Sequence, residues 1–286
     1  MRNPQPTTRA RSAESGRLRR VEGKHNPLVK DLRLAFSRAD LTPSGQCAIE
    51  GLRILEEAIR SSIRLRAVFF AESAQPKAAR LLPQLGAHVE TVMLPDSLFS
   101  SVVPSDSPQG VAALVHWSGS SLTAILERPP GFLIALAGLQ DPGNLGTIIR
   151  SAEAFEATGI VLGEGTVSPF NSKVIRGSSG SIFRLPLARA KLADAIPQLR
   201  QRGYRLLATS SHKGTSLSDV DFRTPVAVVI GAEGSGIDRD MLSKMDGSVM
   251  IPHSPKVESL NAGVAASIVL YEASRARQLK LENRKL

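Results

Sequence analysis

The amino-acid sequence predicts an α/β protein built from two domains. Apolar strand-like runs alternate with helical segments over residues 25–117 and again over residues 131–286. Between these series, residues 118–130 contain Gly, Ser and a Pro-Pro pair around one short helical segment, which is typical of a linker. The 286 residues suffice for two hydrophobic cores, and 42% hydrophobic and 22% charged residues are ordinary for a globular protein.

The positive charge is concentrated at the amino terminus. The formal net charge is +10, and residues 1–30 hold six Arg and two Lys against two Glu. Residues 1–24 lack hydrophobic periodicity, so we expect a basic disordered arm. Such an arm favours a nucleic-acid partner, because each neutralised phosphate releases counterions, although many basic tails only confer solubility. Aromatic residues make up only 4% of the chain, which argues against broad base-stacking platforms.

Composition excludes several other kinds of site and location. Cys47 is the only cysteine, so an internal disulfide and a cysteine-rich metal site are excluded. The five histidines are scattered without metal-ligand spacing. No apolar run approaches the ~20 residues that span a bilayer, and the Arg- and Pro-rich amino terminus has no signal core. We therefore expect a cytoplasmic protein that binds neither a metal nor a membrane.

The first series predicts a compact α/β domain. Helices are expected over residues 29–39, 47–63, 76–85 and 94–99, and strands over residues 67–71, 89–93 and 111–117. The second helix is predicted from the helical spacing of Ile49, Leu52, Leu55, Ile59 and Ile63.

The second series predicts five strands that alternate with five helices. The strands are expected over residues 132–137, 160–162, 205–209, 226–230 and 248–251. The helices are expected over residues 145–157, 171–178, 192–202, 239–245 and 260–280. This alternation predicts a parallel sheet with crossover helices, and ligands usually bind such sheets in the loops that follow the strands.

The first loop of interest follows the strand at residues 132–137. Asp141-Pro142-Gly143 has turn chemistry, and Asn144 is a favoured helix N-cap. Arg150 lies six residues later. Its side chain would reach the loop only by pointing back toward the helix amino terminus, whereas a single helix arginine is more often simply solvated.

Two more loops follow later strands. Gly231-Ala232-Glu233-Gly234-Ser235-Gly236 permits positive φ and close approach of a ligand, but its spacing matches neither a dinucleotide-binding nor a P-loop motif. In the stretch 251–261, Pro252 ends a strand, and Ser259 is a candidate N-cap for the apolar helix that follows. Ser259 and Asn261 would then face a bound ligand, although a capped surface helix would show the same pattern.

The three loops together resemble the three motifs of the SpoU (TrmH-type) RNA ribose 2′-O-methyltransferases, of the SPOUT class. The matching residues are Asn144, Gly146 and Arg150; Gly231, Glu233, Gly234 and Gly236; and Ile251, Pro252, Ser259, Leu260 and Asn261. The segments 48–53 and 107–111 resemble the family's amino-terminal domain. Two departures affect the cofactor loop: His253-Ser254-Pro255 stands where the family usually has Met-x-Gly, and Ala262-Gly263 where Val-Ser is common.

The resemblance implies a fold, a cofactor and an assembly. Residues 131–286 would form a SPOUT methyltransferase domain with helices on both faces of its sheet and a deep trefoil knot. Residues 25–117 would form a smaller ribosomal-protein-like α/β domain that binds the RNA substrate. S-adenosylmethionine would bind bent in the knot, against Ile230, Gly231, Gly234, Ile251, Pro252 and Leu260. Two chains would pair through the knotted domain as a homodimer, and each active site would be completed by the partner chain.

The resemblance also implies a catalytic set, formed by Asn144, Arg150, Glu233, Ser259 and Asn261. Arg150 would activate the ribose hydroxyl electrostatically, because a guanidinium stays protonated and is a poor literal base. Asn144 would hold Arg150 or the ribose. Glu233 would orient these groups or instead bond loop amides, and Ser259 and Asn261 would position the ribose.

The expected function is S-adenosylmethionine-dependent methylation of a ribose 2′-hydroxyl in structured RNA. Ribosomal RNA of the large subunit (23S) is favoured because the amino-terminal domain resembles those that dock on folded RNA, and transfer RNA is the alternative substrate. A non-catalytic RNA-binding or ribosome-assembly protein is the alternative of another class. The retained motif residues argue against it, and a small-molecule methyltransferase ranks third.

Overall fold

The computed structural model describes residues 17–234 and 236–282, with side chains as far as residue 278. The chain divides into two compact units. Unit 1 contains the described chain as far as Ser118 together with Phe170–Ser172, and unit 2 contains Gly119–Pro169 and the chain from Lys173 onward. The boundary falls at the amino-terminal end of the predicted linker.

Unit 1 is a five-stranded sheet with helices. Its elements are β1 (Leu18–Arg20), α1 (Pro27–Arg38), β2 (Gln46–Glu50), α2 (Leu52–Arg60), β3 (Arg64–Ala71), α3 (Gln75–Leu81), β4 (Glu90–Leu94), α4 (Asp96–Ser100) and β5 (Val111–His116). The strand order is β1-β4-β3-β5-β2. Pairing is parallel along β1, β4 and β3, whereas β5 runs antiparallel to β3 and β2.

Two expectations for this unit are wrong. Residues 46–50, placed mostly in a helix by their spacing, form β2, because all five are buried against α1, α2 and β5. The helix begins only after Gly51, whose φ of 100° is incompatible with a helical conformation. Part of the predicted disordered arm is also ordered, since Leu18–Arg20 pair with β4 and Thr91 Oγ1 donates to the Arg17 carbonyl. Residues 1–16 of that arm lie outside the described residues.

Unit 2 is built on a seven-stranded sheet. Its elements are α5 (Leu122–Leu126), β6 (Phe132–Ala137), α6 (Pro142–Ala154), β7 (Gly159–Leu162), α7 (Ser172–Gly177), β8 (Leu187–Arg189), α8 (Leu192–Gln201), β9 (Arg205–Thr209), β10 (Thr215–Ser216), β11 (Val226–Gly231), α9 (Arg239–Ser243), β12 (Gly247–Met250) and α10 (Ala262–Glu282). All strands are parallel, in the order β10-β12-β9-β11-β6-β7-β8. The predicted parallel α/β architecture is confirmed.

Side chains of the central strands alternate between two covered faces. Leu133 and Ala135 of β6 and Ala227 and Val229 of β11 belong to a buried cluster with residues of α5 and α8. Alternate positions such as Val228 point to the other face, where α6 and α10 pack together and α10 contacts β11. Helices therefore cover both faces of the sheet, as predicted.

The two shortest strands of unit 2, and the burial of the short helix expected within residues 118–130, were not predicted. The segment read as a linker contains α5, whose Ile125 and Leu126 are buried in the core of unit 2. β8 and β10 have only three and two residues, too few to show a pattern of their own. Among the described residues, no helix is long and apolar enough to cross a membrane, and no group of three His, Cys, Asp or Glu side chains could hold a metal ion.

Candidate active site

The three loops singled out in the sequence meet at one edge of the unit 2 sheet. The first connects β6 to α6, the second follows β11, and the third connects β12 to α10. β11 pairs with both β6 and β9, and β9 pairs with β12. Because all these strands are parallel, their carboxyl ends lie at the same edge. The order of strands therefore places the three loops together.

The first loop is organised by Asp141 and Asn144. Asp141 is the N-cap of α6, since its Oδ1 accepts a hydrogen bond of 2.7 Å from the Asn144 backbone amide. The expectation that Asn144 would be the cap is therefore wrong. Because Asp141 takes that role, the buried Asn144 side chain is free to donate from Nδ2 to the Glu233 carboxylate, 89 residues away. This bond joins the first loop to the second.

The second loop folds back on Gly231. Ala232 and Gly236 exchange two backbone hydrogen bonds, of 2.9 and 3.2 Å, and Gly234 and Gly236 have φ values of 89° and 67°. A Cβ on Gly231 would lie 2.4 Å from the Gly236 carbonyl carbon, so only glycine allows this turn. The turn holds Glu233 in place to accept from Asn144.

The third loop ends at the cap of α10. Asn261 Oδ1 accepts a hydrogen bond of 3.1 Å from the Val264 amide, and the helix begins at Ala262. Asn261 rather than Ser259 is therefore the cap, which corrects the sequence-based assignment. A Cβ on Gly263 would lie 3.0 Å from Asn144 Oδ1 and 3.2 Å from Asn261 Oδ1. Glycine at this position allows the first turn of α10 to approach Asn144 closely.

A cavity of about 660 Å³ opens between the second and third loops. Eight of the eleven predicted site residues line it: Ile230, Gly231, Glu233, Gly234, Ile251, Ser259, Leu260 and Asn261. Three do not. Asn144 reaches the cavity only through Glu233, Pro252 is exposed outside it, and Arg150 is exposed on α6. The proposal that Pro252 touches a cofactor has no support in the cavity lining.

Arg150 stands apart from the other predicted catalytic residues. Its guanidinium makes no hydrogen bond or ion pair with any residue in ranges 17–234 and 236–278. The expected contact with Asn144 is absent there, because the Asn144 amide group bonds Glu233 instead. Within one described chain, Arg150 is thus an exposed cation with no partner on the cavity wall.

The cavity also has lining residues that the sequence analysis missed. They are Thr209, at the end of β9, and Ser210, Ser211 and His212, which follow it; β9 is the strand between β11 and β12. The signal was available, because the strand at 205–209 was predicted and its carboxyl end must lie at the same edge. The third loop contributes His253, whose Nδ1 lies 2.7 Å from the Ile251 carbonyl oxygen and whose ring centroid is 6.2 Å from that of His212. His253 thus replaces the family's usual methionine with a ring that faces a second imidazole.

The lining combines apolar walls with a few polar groups. Ile230, Val249, Ile251, Leu260 and Val269 supply apolar surface, and Glu233 and Glu258 supply carboxylates. Volumes of roughly 300–1,000 Å³ with such walls are typical of small-molecule sites. A parallel sheet with this cavity at its carboxyl edge defines an α/β protein that binds a small molecule in its strand-end loops.

Comparison with known proteins gives the family. The sequence model described as the SpoU rRNA Methylase family matches residues 131–271, and the one described as the MRM3-like substrate binding domain matches residues 26–113. The Bacillus subtilis 23S rRNA (guanosine(2553)-2′-O)-methyltransferase RlmP is 30% identical over 89% of this chain and 98% of its own. The chain therefore belongs to the SpoU rRNA methylase family, as its three motifs predicted.

Solved structures agree with this assignment. An S-adenosylmethionine-bound rRNA methyltransferase from Sinorhizobium meliloti superposes with a TM-score of 0.78 at 29% identity, over 91% of this chain and 98% of that one. The SpoU methyltransferase AviRb from Streptomyces viridochromogenes, in complex with the same cofactor, gives a TM-score of 0.78 at 26% identity, over 89% and 99% of the two chains. Both similarities span the two units, so the predicted domain types are found together in solved proteins.

Proposed function

We propose that the chain transfers a methyl group from S-adenosylmethionine to a ribose 2′-hydroxyl of large-subunit (23S) ribosomal RNA. The observation that carries the proposal is the Asn144–Glu233 bond, which joins the first and second motifs beside a cavity lined by the second and third. The relative from Bacillus subtilis, named for this reaction, is similar over nearly its whole length. The proposed place of action is the cytoplasm, where ribosomal RNA is assembled with protein.

The cavity suits the proposed cofactor. An adenosine and a methionine side chain joined through a sulfonium need apolar walls, backbone polar groups and nearby negative charge. The apolar walls of Ile230, Ile251 and Leu260 and the glycine turn at Gly231 and Gly234 would hold the nucleoside part, and Glu233 or Glu258 would offset positive charge. The bound cofactor supplies an electrophilic methyl group. The chain's own residues must position the ribose and stabilise charge on its oxygen.

The ribose oxygen would become partly anionic as its proton passes to a neighbouring RNA phosphate or to water, and the new C–O bond would replace the methyl–sulfur bond. A cation placed near that oxygen lowers the barrier, and Arg150 is the proposed one because its guanidinium stays protonated. The exposed Ser259 lines the cavity, and Asn261 accepts through its oxygen to cap α10 while its amide nitrogen bonds no other group of the described residues. These two side chains are the proposed ribose-positioning groups. Glu233 orients Asn144 and is a positioning residue for the site.

The position of Arg150 supports a homodimer. Arg150 precedes Ser151, whose hydroxyl lies 2.8 Å from that of Ser267 on α10. Beside this contact, α10 exposes an apolar stripe formed by Val264, Ile268 and Tyr271, with exposed fractions of 49% for Val264 and 54% for Tyr271. A second copy of this chain packed on the stripe would bury it and bring Arg150 to the partner's cavity.

We expect Tyr271→Glu to break this dimer. A buried carboxylate in place of an aromatic ring would be left without a partner, which is strongly unfavourable. Light scattering should show a monomer, and methyl transfer should fall with it. Leu34→Glu is the matched control, because Leu34 is also an exposed apolar residue, at 41%, but lies on α1. A Tyr271→Glu protein that stays dimeric would contradict this interface.

The trefoil knot remains a prediction. Its support is the path of the chain after β12. β12 lies on one side of β9, whereas α10 packs against α6, the helix that follows β6 on the far side of β11. α10 also contacts the turn Leu217–Asp219 that precedes β11. A chain on this path passes the loops around β11 closely, as a threaded segment must.

Methyl transfer is the direct test of the proposed function. Labelled S-adenosylmethionine would be incubated with unmodified 23S RNA and, separately, with unmodified tRNA. Alkali-stable label at one ribose of the 23S RNA would support the proposal, and label in tRNA alone would shift the substrate to the alternative. Absence of both label and cofactor binding would favour the non-catalytic RNA-binding protein. Cofactor bound without transfer to either RNA would direct the assay to assembled ribosomal particles.

A further inference from the structure

A cluster of basic side chains lies at one edge of unit 1, away from the motifs of the proposed site. Antiparallel pairing sets the end of β5 beside the starts of β2 and β3, so that His116 lies opposite both Gln46 and Arg64. Arg66 is two residues further along β3, and α1 lies against β2 and β5. We define the basic edge as Lys30, Arg33, Arg64, Arg66 and His116.

A hydrogen-bonded network ties α1 to this edge. Arg66 Nη1 lies 2.9 Å from both Asp31 Oδ2 and Gln46 Oε1. The Gln46 side-chain nitrogen lies 3.4 Å from His116 Nε2. Asp31 is on α1, so Lys30 and Arg33, one residue before it and two after it, belong to the helix held at this edge. The network fixes the position of Arg66 and ties α1 to the strands before any partner binds.

The positive charge of the basic edge is largely uncompensated. Asp31 is the carboxylate in the network, and it pairs with Arg66. The side chains of Lys30, Arg33 and Arg64 make no hydrogen bond or ion pair with another residue in the described part of the chain. Lys30 and Arg64 are exposed, and Arg33 is half-buried. The four arginine and lysine side chains and one carboxylate give a net charge of +3.

The pKa of His116 reflects this positive charge. Partial burial lowers the pKa of its imidazole, and the cations of Arg64 and Arg66 lower it further. Two other arginines of unit 1 are paired with carboxylates by contrast, since Arg60 contacts Glu56 and Glu57, and Arg80 contacts Glu56. Unlike those two arginines, the unpaired cations of the basic edge leave positive charge available to a partner.

We infer that the basic edge is a docking surface for the phosphate backbone of the RNA substrate. The inference rests on the proposed function, which makes RNA the substrate. Exposed unpaired cations bind phosphates with release of counterions and position a protein without reading sequence. The exposed groups that define the edge are cations, so phosphates are the part of RNA that it fits. Its role is to hold folded RNA while unit 2 performs the chemistry.

The test uses the full chain with Lys30→Glu and Arg64→Glu, separately and combined. Loss of one phosphate contact should weaken binding of unmodified 23S RNA at least about fivefold at 0.1 M salt, and should reduce the slope of log affinity against log salt by about one. The combined variant should lose roughly twice that slope. KM for RNA should rise, with kcat at saturating RNA and affinity for S-adenosylmethionine unchanged.

Arg60→Glu is the matched control. It reverses the same charge on an exposed arginine of unit 1, but Arg60 is already paired with carboxylates. If Arg60→Glu weakens RNA binding as much as Arg64→Glu, net charge alone accounts for binding and the docking surface is overturned. Unchanged RNA affinity of the combined variant would also overturn the docking surface. Loss of binding to an acidic protein would not rescue the proposal, because its stated partner is RNA. Arg64→Gln removes the cation without adding repulsion and should show the same reduced slope.

The two proposals fail separately. RNA affinity is measured without any methyl transfer, so an inactive wild-type protein that still binds RNA through these residues would sink the proposed function and leave the docking surface standing. Normal methyl transfer by the combined variant at low RNA concentration would overturn the docking surface and leave the proposed function standing.

Discussion

Arg150→Ala is expected to lose methyl transfer by about 100- to 1,000-fold, the usual cost of removing one donor that stabilises a developing oxyanion. The guanidinium is the proposed cation for the ribose oxygen, and within the described chain it has no structural partner whose loss would disturb the fold. Affinity for S-adenosylmethionine should be unchanged, because Arg150 does not line the cavity. Single-turnover transfer and equilibrium cofactor binding measure the two quantities.

Arg202→Ala is the control for this prediction. Arg202 is also an exposed arginine of unit 2, and its side-chain contact in the described structure is a long bond of 3.5 Å to the Arg128 carbonyl. Its removal should leave transfer near normal. Near-normal turnover of Arg150→Ala would refute the catalytic assignment.

Mixed dimers decide whose cavity Arg150 serves. A chain with Arg150→Ala keeps its cavity, and a chain with a damaged cavity keeps Arg150. If the residue acts on the partner's site, a mixed dimer of these two inactive chains regains activity in one of its two sites. If Arg150 acts in its own chain, the mixture stays inactive, and the partner chain is not needed to complete the active site.

Gly231→Ala is expected to reduce affinity for S-adenosylmethionine by about 10- to 100-fold. The added Cβ would lie 2.4, 2.6 and 2.7 Å from the Gly236 carbonyl carbon, the Gly236 oxygen and the Ile237 nitrogen. These are backbone atoms, so the whole turn must shift, and overpacking of this kind costs about 1–3 kcal/mol. The shift would move Glu233 away from Asn144 and deform the cavity wall. Calorimetric titration with the cofactor measures the loss.

Gly247→Ala on β12 is the control for the turn. A Cβ there would meet only the Leu207 side chain at 3.6 Å, an ordinary contact, and Gly247 has no positive φ. Cofactor affinity should match that of the unchanged protein. If Gly231→Ala also bound normally, the turn at residues 231–236 could not be the cofactor cradle proposed above.

Central strands were predictable because burial on both faces leaves an uninterrupted apolar run. The strands at 132–137 and 205–209 were predicted with the bounds that the structure gives to β6 and β9. Residues 46–50 form a strand that this reasoning does not predict. Ile49 lies at helical spacing from Leu52, yet β2 is stabilised by pairing with β5, more than sixty residues away. Local spacing carries no information about such a partner.

The site shows a similar division between what is local and what is not. The meeting of three loops follows from parallel strands, and the motif residues identified their members. The roles at the two helix starts did not follow, because Asp141, Asn144, Ser259 and Asn261 are all good caps by residue type. At α6 the Asn144 side chain donates to Glu233, and Asp141 is the cap. At α10 the Val264 amide donates to Asn261, which is therefore the cap.

The cavity of unit 2 has a consequence for the protein's synthesis. Its lining runs from Thr209 to Val269, and α10 is needed to place Asn261 and close one wall. A nascent chain that has emerged only as far as β11 has not yet completed the proposed cofactor site, whereas all the strands of unit 1 have by then left the ribosome. Domains generally fold as units in the order of translation. Cofactor binding at the proposed site would thus stabilise the finished protein but would not assist the early stages of its folding.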